Sequence, residues 1–112
     1  MQPTTSEPTL AQTSVVMKAL AHQSRLLIVQ SLANGELCVG DLQQIVGSDV
    51  STVSKHLTVL KSAGVVEDRK VGLQVFYHLR ITCIADFVHC IGAVMAGLPP
   101  RLPEELLRTL TP

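Results

Sequence analysis

Between Val39 and Leu79 the spacing of apolar residues changes character, and that change narrows the folds open to the chain more than anything else in it. Val39, Leu42, Ile45 and Val46 follow a helical repeat that stops at Gly47; Val53, Leu57 and Leu60 then recur at i, i+4 and i+7 until Gly64. Asp49 is a good N-cap for this second helix, expected from Asp49 to about Ala63. After Gly64 the period falls to two. Val65 to Val71, a turn at Gly72, and Gln74 to Leu79 read as a β-hairpin, with Val75, Tyr77 and Leu79 alternating with Gln74, Phe76 and His78. Helix, turn, helix and hairpin in that order predict a winged helix-turn-helix, mainly α with a β-hairpin wing.

The flanks fit a single domain over 9–98. A helix is expected from Thr9 to Ala21 and another over roughly 23–33, ended by Asn34-Gly35. A long apolar helix follows the hairpin from about Thr82 to Gly97 and is stopped by Pro99-Pro100. Residues 1–8 are polar and Pro-containing and are expected to be a disordered arm. Residues 99–112 form a tail with a short helix opening at Pro103, Glu104 and Glu105. No run approaches the roughly 18 apolar residues a membrane span needs, and no signal peptide is read at the start. With three cysteines and no CxxC pair, reduced thiols in the cytoplasm are the expectation.

Net charge is zero over 112 residues, which taken alone speaks against a nucleic-acid binder, but its distribution does not. Residues 51–80 carry Lys55, Lys61, Arg69, Lys70 and Arg80 against Glu67 and Asp68, a local excess of +3 that the rest of the chain offsets. Such a patch suits phosphates, although a solvated face with a chance excess reads the same way. On the second helix Ser51, Thr52, Ser54, Lys55, Thr58 and Lys61 lie off the buried stripe, the first four of them in the N-terminal turns that enter a major groove. Arg69, Lys70 and Gln74 fall near the hairpin tip, where a wing meets the DNA backbone or the minor groove.

The runs ELCVGDL at 36–42, VSTVSKHL at 50–57, LKSAGVV at 60–66 and QVFYHL at 74–79 closely resemble the ArsR/SmtB family of bacterial metal- and metalloid-responsive repressors, over about residues 15–95. The resemblance implies a homodimer through the first and fifth helices that binds double-stranded DNA at an inverted-repeat operator and is released by an inducer. It also implies DNA-facing roles for Ser51, Thr52, Ser54, Lys55 and His56, with bracing of the helix by hydrogen bonding as the other reading of His56. Val50 stands where the family often has a polar residue.

Arsenical repressors of this family carry three cysteines where this chain reads ELCVGDLQ; only Cys38 remains, and Gly40 and Gln43 replace the other two. Cys38 is expected at the N-cap of its helix, in a capping box with Asp41. The family's zinc site in the fifth helix is not supported either, since Val94 and Gly97 fall where its distal ligands belong. Within that helix Ile84, Val88, Ile91 and Met95 form an expected core stripe, with Cys83, Phe87, Cys90 and Val94 beside it; two apolar stripes suit a helix that packs on its own domain and on a partner. Cys83 and Cys90 are separated by a rise of about 10 Å, too far for both sulfurs to reach one ion at about 2.3 Å. A site for As(III), Sb(III) or another thiophilic ion therefore needs Cys83 and Cys90 from two subunits, or Cys38 in addition. No cofactor is obligatory. Redox or persulfide sensing by the same cysteines is a second reading, and small buried hydrophobes at a dimer seam a third. His22, His78 and His89 share no metal-ligand spacing. A winged-helix protein–protein module is a rival of another class. No catalytic arrangement or phosphate loop is visible, so an enzyme is not expected.

Overall fold

A computed structural model describes residues 9–98. The arm expected over 1–8 and the tail helix expected within 99–112 lie outside the described residues. Helix α1 (Leu10–Leu20) opens on a reciprocal cap: Gln12 N–H donates to Thr9 Oγ1 at 3.1 Å, and Thr9 N–H to Gln12 Oε1 at 3.4 Å. Helix α2 (Gln23–Leu32) is capped by an imidazole, Ser24 N–H donating to His22 Nδ1 at 3.0 Å. A two-residue strand β1 (Leu37–Cys38) leads directly into α3 (Val39–Val46). That helix ends at Gly47, whose φ of 79° is the left-handed conformation that glycine, lacking a Cβ, adopts without a clash and that would strain other residues.

Helix α4 (Val50–Ser62) starts two residues later. Its N-cap is Asp49, which accepts from Thr52 N–H at 2.8 Å. Hydrogen bonding from Thr52, side chain and backbone, holds the Asp49 carboxyl below its ordinary value of 3.8. A lowered native pKa means that this cap contributes fully at neutral pH and is lost as pH falls through the native value, below 3.8. Asp49→Ala is therefore expected to lower the thermal midpoint by a few degrees at about pH 7 and by less at about pH 2, as calorimetry at the two pH values checks.

Strands β2 (Val66–Val71) and β3 (Gln74–Leu79) pair antiparallel from Val66 opposite Leu79 to Val71 opposite Gln74. Gly72, at φ 61°, supplies the first position of the two-residue turn, while Leu73 keeps negative φ. This is the pattern of a II′ hairpin turn. The sheet has three strands in the order β1-β3-β2, with Leu37 opposite Tyr77 and Cys38 opposite Phe76; the hairpin reading from sequence lacked β1. Two residues are too few to show a period. Val65 joins three elements: its N–H donates to Leu60 O at 2.9 Å, and its carbonyl accepts from Arg80 N–H at 2.9 Å and Ile81 N–H at 3.3 Å. Helix α5 (Ile84–Met95) follows.

The core is aliphatic. Ile28 and Val29 of α2, Leu42 of α3, Val53, Leu57 and Leu60 of α4, and Val65 and Val66 are fully buried together. Helix α5 joins through Ile84 and Val88 alone of its expected core stripe, because Ile91 is 51% exposed and Met95 82% exposed. The expected stripe fails in its second half, where Ala93 is the buried residue and Ile91 lines an open groove beside α1 and α2. The capping box at Cys38 is also corrected. Cys38 is the N-cap of α3, yet it takes no N–H there; its thiol instead donates to Asp41 Oδ2 at 3.2 Å, the better partner for a weak acceptor and weak donor such as sulfur.

Candidate nucleic-acid interface

Burial of Val53, Leu57 and Leu60 fixes the rotation of α4 about its axis and leaves Ser51, Thr52, Ser54 and Lys55 exposed along its N-terminal half. Three hydroxyls and one ammonium thus share the leading end of one helix, a set able to donate to phosphate oxygens and to base edges. Thr58, one turn on, turns its hydroxyl back to Ser54 O at 2.9 Å.

His56 lies elsewhere. Its ring is half-buried against that of His22, with centroids 4.4 Å apart and planes tilted by 51°. Burial, together with the charges of His22 and Arg25, holds its pKa below the ordinary imidazole value. The ring contact packs α4 against the N-cap of α2, through aromatic surface and not through the hydrogen bond that the bracing reading expected.

Two of the expected cations are paired within the protein. Lys61 Nζ lies 3.0 Å and 3.1 Å from the two carboxylate oxygens of Asp68, which joins the last turn of α4 to β2. Arg69 forms a fork with Glu36, Nε and Nη2 each 2.6 Å from a carboxylate oxygen, and its guanidinium stands 5.7 Å over the Phe76 ring. The hydrogen bond from Arg69 is the main cause that holds the Glu36 carboxyl below its ordinary range. Glu36 precedes β1, so the fork closes 33 residues of chain and anchors the wing near its middle, where Arg69 stands opposite Phe76. His78 adds to that row, Nε2 3.3 Å from Glu67 Oε1 and Nδ1 3.8 Å from Glu36 Oε2. Lys70 and Gln74 remain exposed beside the turn, and Leu73 at its apex is fully exposed. Sequence reasoning missed Glu36 as a partner and Leu73 as the apex; the first is a long-range contact with no local signal, while the second follows once Gly72 is placed at the first turn position.

The three cysteines are free thiols. Cys83 is exposed just before α5, Cys90 is partly covered within it, and Cys38 sits apart on β1. Among the described residues of one protomer no three His, Cys, Asp or Glu side chains come together as a metal site. No described helix is long and apolar enough to cross a membrane.

Residues 22–68, from the α2 cap through α4 into β2, match the family described as bacterial regulatory protein, arsR family. A biofilm growth-associated repressor of Agrobacterium fabrum is 33% identical over 101 residues, 90% of this chain and 82% of that protein. The cadmium resistance transcriptional regulatory protein CadC of Listeria innocua is 42% identical over 64 residues, 56% of this chain and 54% of that protein. Among solved structures, the homodimeric winged helix-turn-helix DNA-binding domain of a Mycobacterium bovis protein superposes with a TM-score of 0.69 at 34% identity, covering 78% of this chain and 81% of that one. Identity that extends across most of a full-length repressor, in a fold that presents a hydroxyl-rich helix beside a braced wing, places the chain in the arsR family of bacterial regulatory proteins.

Proposed function

We propose that the protein is a homodimeric, cytoplasmic transcriptional repressor that grips an inverted-repeat operator with α4 and the wing and lets go when a thiophilic ion such as As(III) or Sb(III) binds. The exposed row Ser51, Thr52, Ser54 and Lys55 on a capped helix carries the DNA-binding part. Ser51, Thr52, Ser54 and Lys55 enter the major groove, while Lys70 and Gln74 meet the backbone beside it; Lys61 and Arg69 act from behind, by holding β2 in place. Dimerisation is supported by the apolar surface left open where α1, α2 and α5 meet: Met17, Leu27, Phe87 and Ile91 line one groove, and Val94 and Met95 extend it. A second copy is the partner that the Mycobacterium bovis domain finds.

The inducer reading rests on donor chemistry. Cys83 and Cys90 are too far apart on one helix to share an ion, so the donors are Cys83 of one protomer and the partner's Cys90, with Cys38 as a third candidate. The similarity to CadC favours a soft metal or metalloid. Release then requires the ion to favour the DNA-free arrangement by a few kcal/mol. Cys83→Ser, Cys90→Ser and Cys38→Ser are expected to keep operator affinity, and the first two to lose release by As(III) at concentrations that free the parent protein from DNA. Fluorescence anisotropy with As(III), Sb(III), Cd²⁺ and an oxidant in parallel checks this. Unchanged release in the first two variants would sink the metalloid reading, and release by the oxidant alone would replace it with a redox one.

A further inference from the structure

We infer that Val50 reads a thymine in each operator half-site, through contact between its methyl groups and the thymine C5-methyl in the major groove. The inference rests on the DNA-binding reading of α4 and adds the identity of one recognised base.

Val50 is the first residue of α4 and is 50% exposed. Three ordinary reasons for a valine at this point are absent. It is not in the core, for the buried side of α4 is Val53, Leu57 and Leu60. It does not suit the first turn of a helix, where proline or an acid is favoured and β-branching brings no benefit. Nor does it cap the helix, since Asp49 holds that place. What distinguishes the position is its neighbourhood: Ser51, Thr52, Ser54 and Lys55 are all exposed around it, so a half-open apolar side chain stands inside an otherwise polar surface.

Groups along the major groove edge of a base pair are hydrogen-bond donors and acceptors, with one apolar exception, the thymine methyl. A valine at the leading end of a helix that enters this groove therefore has a single apolar complement there. The Asp49 bond to Thr52 N–H fixes the first turn and so fixes where the Val50 methyls project. Hydroxyls and Lys55 beside it supply the polar and phosphate contacts that hold the register.

Removing one buried methyl corresponds to an affinity loss of about fourfold. The experiment uses the full chain and a duplex enriched by it from a random pool, each thymine being replaced singly by deoxyuridine, which lacks the methyl. The expected result is a loss of about fourfold at one thymine position per half-site, about tenfold or more when both half-sites are changed together. Val50→Ala is expected to bind the unmodified duplex a few-fold more weakly than the parent and to show no loss at that thymine. Val50→Thr, which keeps one methyl, is expected to retain part of the discrimination. Indifference of the parent protein to every deoxyuridine overturns the proposal, as does an equal loss in Val50→Ala. Failure to enrich any duplex overturns the DNA-binding reading itself, and this inference with it.

Discussion

Raising monovalent salt from about 50 to about 200 mM is expected to weaken the operator complex by about a hundredfold. Lys55 and Lys70 are the cations of the proposed contact surface that form no ion pair among the described residues, so a dimer neutralises about four phosphates and the slope of log affinity against log salt is about −3.6. The figure depends on the internal pairing of Lys61 with Asp68 and of Arg69 with Glu36. Were those cations on phosphates as well, the slope would approach about −7 and the loss about ten-thousandfold. The measurement therefore tests whether the braces persist on DNA. Lys70→Ala should weaken binding to all sequences and flatten the slope by about 2, one phosphate for each subunit, whereas Lys55→Ala should also erode the preference for the operator. A slope near zero would remove phosphate contact from the account altogether.

Leu57→Ala is expected to destabilise the fold by about 2–5 kcal/mol, against about 5–15 kcal/mol for the whole of a typical domain. Leu57 is 1% exposed and packs in the cluster that α2, α3 and α4 share with Val65 and Val66. Truncation there leaves a cavity between elements that cannot all close on it, and it frees the helix face whose burial orients Ser51 and Lys55. DNA binding should fall with stability. Val59→Ala, two residues along on the partly exposed side of the same helix, should stay within about 0.5 kcal/mol. Urea denaturation at matched protein concentration separates the two, matching being needed because association shifts apparent stability. A loss below about 1 kcal/mol for Leu57→Ala would mean that α4 is not held by this core.

Residues whose role is local were legible in the sequence. Val53, Leu57 and Leu60 announce α4 by spacing, Asp49 its start, and Gly47 and Gly64 the breaks on either side, because periodicity, caps and left-handed glycines act over a few residues. The family resemblance added the connection to known regulators. What escaped was set by distant partners. Arg69 looks like a free wing cation, and its pairing with Glu36, 33 residues away, leaves no local signal in the sequence. Lys61 looks free until the register of β2 brings up Asp68. Ile91 and Met95 continue the spacing of Ile84 and Val88, but spacing cannot say where the protomer's own core ends. Cys38 was placed correctly at its helix start, and only geometry shows its thiol giving a hydrogen bond to Asp41 where a cap would accept one.

Val65 has a mechanical consequence. One fully buried residue takes the end of α4 on its N–H and the approach to α5 on its carbonyl. The end of α4 and the approach to α5 therefore share one buried backbone unit, and a shift of one is passed toward the other through these hydrogen bonds. If α5 is the seam between subunits, the distance and phase between the two recognition helices are dictated there, and side chains on α4 adjust only what is read within a half-site. A duplex presents successive major-groove faces about 34 Å apart along its axis. On the proposed dimer, a shared joint of this kind ties operator spacing to the seam, so that a small rotation there shifts both helices relative to the groove together.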